Sequence, residues 1–149
     1  SDNVHHVVLA VFASTTPTTR LDGFTITGGN ADVSSNITVN GANINRYYGG
    51  GINTDGGTNT LTNNSLSGNS AEYGGGIFTS GGMNTLTANS LSGNFALSSG
   101  GGIYTFGCTN TLTNNSLSET TAIFGGGHYT YDAPRTLTTN RLSGIPALH

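Results

Sequence analysis

A triplet of glycines recurs four times along the chain at nearly constant intervals. The triplets begin at residues 49, 74, 100 and 125, which gives spacings of 25, 26 and 25 residues. The same interval separates four copies of Thr-Leu-Thr and four Leu-Ser pairs. A partial copy lies upstream, where Leu21 and Ile26 correspond to Leu61 and Leu66. A fixed period of this length is typical of a repeat protein in which each copy stacks on its neighbours.

Each repeat consists of short segments in which polar and apolar residues alternate, separated by Asn and Gly. This pattern predicts strands and turns, and no stretch has the apolar period of a helix. So short a unit cannot bury its own apolar face, whereas stacked copies bury a continuous one. The sequence therefore predicts an all-β fold, a right-handed parallel β-helix (a three-sided β-solenoid) of about five coils of 25–26 residues.

Stacked coils place equivalent residues about 4.8 Å above one another. The apolar columns are predicted to form three buried ladders, in which each side chain contributes about 1.5–3 kcal/mol. The ladders are Ile52, Ile77 and Ile103; Leu61, Leu86 and Leu112; and Leu66, Leu91 and Leu117. A fourth column is expected at a bend, where side-chain amides can satisfy unpaired backbone groups. Its members are Asn64, Asn89, Asn115 and Asn140.

The length of 149 residues fits a single domain, 1–149. Residues 1–48 are expected to form the first coil, with an inserted loop at 32–48, and residues 49–149 the four regular coils. The insertion contains several apolar and aromatic residues, so we expect it to cover the first coils, dock on a neighbouring subunit or carry binding specificity.

The composition argues against several classes of function. Gly, Thr, Asn and Ser make up more than half of the chain, only 7% of the residues are charged, and the net charge is -3. A surface that binds the phosphates of nucleic acid is therefore not expected. The longest apolar stretch, residues 7–13, is too short to span a membrane. With a single cysteine and no cluster of ligand residues, neither a disulfide nor a metal or cofactor is expected.

Two short motifs of the repeat resemble a known family. Gly-Gly-Gly-Ile at 49–52 and Leu-Ser-Gly-Asn at 66–69 are similar to the motifs of the polymorphic outer-membrane protein repeat of chlamydiae, and related right-handed β-helix repeats occur in many bacterial surface proteins. The resemblance covers residues 21–31 and 49–147. It implies an extracellular or cell-surface bacterial β-helix, often the adhesive stalk of a larger protein. One departure lies at 118–120, where Ser-Glu-Thr replaces Ser-Gly-Asn.

The end of the repeat array suggests assembly. One further step of 25 residues would place the next glycine triplet at position 150, and no polar cap is recognisable before it. We expect either a piece of a longer β-helix or a subunit that binds other copies of itself, head to tail, and forms filaments by strand stacking. The terminal ladders that would form this assembly interface contain Val7, Leu9, Leu21, His128, Leu137 and Leu142.

The Thr-Leu-Thr segments suggest an alternative function. Where the leucine points inward, both threonines point outward, about 7 Å apart along the strand and repeated every ~4.8 Å up the stack. Such a grid resembles the ice-binding face of insect and bacterial β-solenoid antifreeze proteins, although threonine is a favoured outward residue on any strand. The grid consists of Thr60, Thr62, Thr85, Thr87, Thr111, Thr113, Thr136 and Thr138.

A glycan-active β-helix enzyme is the third hypothesis. Such enzymes use paired carboxylates or calcium held by acidic clusters. The acidic residues form no ladder of carboxylates along one face, so the chain is expected not to be an enzyme. Phe78, Tyr104 and Tyr129 share a column beside the isoleucines and are expected to point outward, where an aromatic stripe could contact glycans.

Overall fold

The computed structural model describes residues 4–12 and 18–146. In these ranges the fold is all-β, with twenty strands and no helix. Most strands pair in parallel with the equivalent strand one repeat away, so the repeats stack into a β-solenoid. The predicted parallel β-helix is confirmed, while its right-handed sense stays a prediction.

Three five-stranded parallel sheets run along the solenoid. Sheet 1 contains β1 (Val8–Val11), β7 (Ile52–Asp55), β11 (Ile77–Ser80), β15 (Ile103–Phe106) and β18 (His128–Tyr131). Sheet 2 contains β2 (Thr18–Asp22), β8 (Thr58–Thr62), β12 (Met83–Thr87), β16 (Thr109–Thr113) and β19 (Arg135–Thr138). Sheet 3 contains β3 (Thr25–Thr27), β9 (Ser65–Ser67), β13 (Ser90–Ser92), β17 (Ser116–Ser118) and β20 (Arg141–Ser143).

A short fourth sheet and a hairpin complete the fold. The fourth sheet contains β4 (Asn30–Ala31), β10 (Ser70–Tyr73) and β14 (Phe95–Ser99), so a coil can have four strand segments rather than the three predicted. The insertion forms an antiparallel hairpin of β5 (Asn36–Val39) and β6 (Ala42–Asn45).

The register agrees with the spacing of the repeats. Leu21 pairs with Leu61 and Ile26 with Leu66, which confirms the alignment of the divergent first copy. Each of sheets 1–3 has five strands, and we call the strands that one coil contributes to these sheets a rung. The chain therefore makes about four turns between the first rung and the last.

The core consists of stacked aliphatic columns. The nine ladder residues named above have exposed fractions of 2% or less, and with Ile26 they form one continuous cluster. Because every column is in register across neighbouring rungs, like side chains pack on like along the axis.

The first rung differs from expectation by one residue. Val8 pairs with Ile52 and packs against the core, whereas Leu9 pairs with Asn53. Since side chains alternate between the faces of a strand, Leu9 points to the opposite face from Val8, and Val7 precedes the strand and is 40% exposed. The prediction that Val7 and Leu9 continue the inner ladder is therefore wrong; in a run of consecutive apolar residues, alternation does not reveal which side chains point inward.

Buried asparagines hold the bend between sheets 2 and 3. The backbone N–H and the Nδ2 of Asn64 both donate to Oδ1 of Asn89, each over 3.0 Å. The same pair of bonds joins Asn89 to Asn115 and Asn115 to Asn140. The predicted asparagine column is thus a continuous hydrogen-bonded ladder. It satisfies backbone groups that the turn leaves without strand partners.

Candidate functional site

The end of the solenoid that carries β18, β19 and β20 exposes the core. Leu137 is 48% exposed and Leu142 57%, whereas their equivalents one rung earlier, Leu112 and Leu117, are 2% and 1% exposed. These leucines line a depression of about 200 Å³. Within the described ranges, the outer edges of β18, β19 and β20 have no neighbouring strand. An apolar surface with free strand edges is suited to receiving another rung.

His128 lies at this open end in place of the isoleucine of sheet 1, opposite Ile103. Its Nε2 is 3.0 Å from Oγ1 of Thr130. Burial, and to a smaller extent the charge of Arg135, lowers the pKa of His128 to about 4. The imidazole is therefore neutral at pH 7, and the charge in this depression belongs to Arg135.

At the opposite end, β1, β2 and β3 form the first rung. None of the three has a neighbouring strand on its outer edge in the part of the chain that the structure describes, but Asn40 of the hairpin donates to the carbonyl of Val11 in β1. Leu21 is half-buried against the core, and Ile26 is buried. On the outer face, Arg20 Nη2 donates to Oδ2 of Asp22 over 2.6 Å, and this bond lowers the pKa of the Asp22 carboxyl.

The threonine grid lies on the outer face of sheet 2. The eight threonines named above form two columns that are in register over four rungs. All eight are partly or fully exposed, and a third column beside them contains Thr58, Met83 and Thr109. Arg20 and Asp22 replace threonine in the first rung, so the grid is confined to the later rungs.

An aromatic ladder runs along the outer face of sheet 1. Tyr48 stacks on Phe78 with ring centroids 4.3 Å apart, Phe78 on Tyr104 at 5.5 Å, and Tyr104 on Tyr129 at 5.4 Å. The expectation that these rings form an exposed stripe is wrong for Phe78 and Tyr104, which are buried. Tyr48, at the end of the insertion, covers the Phe78 ring, and Tyr73 flanks the Tyr104 ring. Burial raises the pKa of the Tyr48 and Tyr104 phenols.

The hairpin β5–β6 stands beside this face. It turns at Asn40 and Gly41, which both have positive φ, of 50° and 79°, as two-residue hairpin turns require. Asn40 Nδ2 donates to the carbonyl of Val11 over 3.2 Å, and Ile44 is buried. The hairpin and sheet 1 together enclose a cleft of about 220 Å³, lined by Asn43, Ile44, Asn45, Tyr48, Asn53, Asp55, Phe78, Ser80 and Phe106.

Metal and membrane features are not found in the described residues. Within residues 4–12 and 18–146 there is no group of three or more His, Cys, Asp or Glu side chains that could hold a metal ion. The same ranges contain no helix of the length and apolarity needed to cross a membrane.

Comparison with protein-family models, curated proteins and solved structures finds no match. The resemblance to bacterial surface repeats therefore stays a prediction. The fold defines the class, a parallel β-solenoid repeat protein, and the function has to be argued from the ends and faces just described.

Proposed function

We propose that the chain is an extracellular structural and adhesive β-solenoid module that assembles end to end, the last rung of one copy stacking on the first rung of the next. The observation that carries the proposal is the open end of the core. Leu137 and Leu142 are about half exposed there, in line with columns that are fully buried one rung earlier.

The aliphatic inward columns of the two ends are complementary, and another inward column would place Thr19 over Arg135. If β1–β3 of a second copy pair with β18–β20, Leu21 lies over Leu137, Ile26 over Leu142 and Val8 over the neutral His128. Burying the two leucines contributes about 1.5–3 kcal/mol each, less the part that is already covered. The free edges of β2 and β3 pair at the same time, while β1 pairs once the bond from Asn40 to the carbonyl of Val11 is released, so the junction is formed by strand addition.

Support for a bacterial extracellular or cell-surface location comes from the resemblance of the glycine-triplet and Leu-Ser-Gly-Asn motifs to surface-protein repeats. Support for a structural rather than an enzymatic role comes from the acidic residues. They form no ladder along the coils, although Asp32 and Glu72 line a common surface pocket beside β4 and β10.

Leu142→Asp tests the assembly. A carboxylate at the centre of the junction would have to be desolvated, a cost that can exceed its attraction to Arg135 in the same depression, so we expect the polymerised fraction at micromolar concentration to fall at least tenfold. Sedimentation velocity measures this fraction, and electron micrographs should show fibres for the unchanged chain and none for the variant.

The matched control is Met83→Asp, because Met83 is equally exposed, at 60%, but lies on the side of the solenoid. This variant should form fibres like the unchanged chain. An unchanged chain that stays monomeric, or fibres that persist in Leu142→Asp, would show that end-stacking is wrong.

Ice binding is the second candidate function, and the register of the threonine grid favours it. Eight threonines occupy two straight columns on one exposed face. Few charges interrupt that face beyond its first rung.

Replacing Thr87 and Thr113 together by Tyr should abolish thermal hysteresis if this face binds ice, because the bulky rings break the flat grid in two adjacent rungs. The matched control replaces Ser90 and Ser116 by Tyr. These serines are also exposed and paired in adjacent rungs, but they lie on sheet 3. Hysteresis should persist in the serine variant and assembly in both. Absence of hysteresis in the unchanged chain rules this function out.

A further inference from the structure

We propose that the cleft between the hairpin β5–β6 and the outer face of sheet 1 binds a neutral sugar residue of a glycan chain, with the sugar ring stacked on Phe106. This proposal stands apart from end-to-end assembly, since the cleft lies on the side of the solenoid.

One outward column of sheet 1 changes from polar to aromatic side chains, and this change creates the stacking surface. The column runs from Asp55 to Ser80, Phe106 and Tyr131 in successive rungs. Phe106 and Tyr131 are stacked with centroids 5.8 Å apart and an interplanar angle of 8°, so Tyr131 covers one face of the Phe106 ring. The other face looks toward the rung of Ser80, whose side chain is short. Phe106 is 45% exposed and lines the cleft, so its ring offers an aromatic surface, the ledge, beside the polar side chains of Ser80 and Asp55, which form the floor of the cleft.

Polar groups converge on this ledge from two sides. On the floor, Ser80 Oγ donates to Oδ1 of Asp55 over 2.7 Å, which leaves the second carboxylate oxygen to accept from a ligand. Across the cleft, Asn43 and Asn45 bring amides that can both donate and accept. A few convergent polar groups beside an aromatic surface are the usual composition of a small-molecule site, and hydroxyl groups both donate and accept, as such a site requires.

The charges of the cleft select the class of ligand. Asp55 is the one charged side chain among the lining residues that the structure describes, and neither Arg nor Lys is among them. A uronate, sulfate or phosphate group would meet a carboxylate without a compensating cation, which is unfavourable. A neutral hexose unit avoids this cost. Because one carboxylate cannot supply both the acid and the base of glycoside hydrolysis, the cleft is suited to binding and not to cleavage.

The size and support of the cleft fit one ring at a time. Its volume of about 220 Å³ lies below the roughly 300–1,000 Å³ typical of pockets for drug-sized ligands. The walls are held in place before any ligand arrives, because Tyr48 stacks on Phe78 at 4.3 Å and Ile44 anchors the hairpin by its burial. A preformed site reduces the conformational entropy lost on binding.

The test is titration of the full chain with methyl glycosides of glucose, galactose and mannose, and with the neutral hexasaccharides cellohexaose and mannohexaose. Saturation-transfer NMR detects contact, and calorimetry gives the affinity. We expect at least one neutral hexasaccharide to bind, and Phe106→Ala to weaken its affinity at least tenfold. Asp55→Asn should also weaken binding, since the amide accepts more weakly than the carboxylate.

Phe124→Ala is the matched control, because Phe124 is an aromatic residue of similar exposure, 58%, outside the cleft. The affinity of the Phe124→Ala variant for the neutral hexasaccharide should equal that of the unchanged chain. Three results would overturn the proposal: no binding by any neutral probe, an equal loss in Phe124→Ala and Phe106→Ala, or binding of a hexagalacturonate as tight as that of the neutral hexasaccharide.

Discussion

At the scale of single residues, the chain places hydrogen-bonded asparagine amides at a buried bend of the coil. The amides of Asn64, Asn89 and Asn115 are buried at the bend between sheets 2 and 3, and each bonds to backbone groups as well as to the next amide. Buried polar groups that are fully paired make a structure specific, and partly paired ones are costly. The corners should therefore be sensitive to the loss of one amide.

Asn89→Ala is the residue-scale prediction. Asn89 Oδ1 accepts from the N–H of Asn64, and its Nδ2 donates to the carbonyl of Leu61 over 2.8 Å. Alanine leaves both buried backbone groups without partners, at about 1–3 kcal/mol each, so we expect the free energy of unfolding to fall by about 2–6 kcal/mol. Urea denaturation measures the change. Ser90→Ala, at the exposed neighbouring position, should stay within about 0.5 kcal/mol. Equal unfolding midpoints for the two variants would contradict this account of the ladder.

At the scale of elements, the glycine triplets allow the backbones of neighbouring coils to approach closely just before the strands of sheet 1 begin. An added Cβ at Gly75 would lie 2.1 Å from the carbonyl oxygen of Phe95 and 2.7 Å from that of Gly101. Both atoms belong to the backbone of the next coil, so they cannot move aside as the end of a side chain could. The middle glycine of the triplet is required by this close approach of two backbones, not by a left-handed φ.

Gly75→Ala should therefore destabilise the fold by at least about 3 kcal/mol, because two coils must move apart to admit the methyl group. Gly93→Ala is the contrasting variant. Its φ is 58°, and nothing lies within 4 Å of the added Cβ, so only the left-handed conformation is penalised, by about 1–2 kcal/mol. Thermal unfolding compares the two. A larger loss in Gly93→Ala would show that close backbone approach is not the constraint.

Repetition explains which elements could be predicted from the sequence. The ladders, the asparagine column and the threonine grid each recur at the same step, and a recurring residue fixes both its strand and its face. The hairpin β5–β6 occurs once, so no period indicated that Ile44 would be buried or that Tyr48 would stack on Phe78. A second ladder, from Asn69 to Asn94, was missed although its signal was present in the Leu-Ser-Gly-Asn motif.

The candidate cleft was predictable only in part. The column from Asp55 to Phe106 can be read from the spacing of the repeats, including its change from polar to aromatic side chains. The opposite wall depends on where the insertion docks. That position is set by long-range contacts, such as the bond from Asn40 to the carbonyl of Val11, which the local sequence does not encode.

At the scale of the whole molecule, each coil contacts its neighbours along one axis, so stability is expected to accumulate coil by coil. The last rung, with Leu137 and Leu142 half exposed, has a neighbour on one side only in the described structure. Addition of a second copy would give this rung the same two neighbours as the inner ones. The proposed assembly would therefore use the strand pairing and the aliphatic packing that also stabilise the folded coils.

The asparagine ladder has a direction, and that direction has a mechanical consequence for the proposed fibre. The N–H of Phe24 donates to Oδ1 of Asn64, and each later asparagine donates to the one that follows. At a junction, the N–H of Asn140 would face Phe24 of the next copy, whose side chain has no amide oxygen to accept it. Every junction would thus lack the asparagine bonds that join neighbouring rungs at this bend, so under a pulling force we expect junctions to separate before a subunit unfolds.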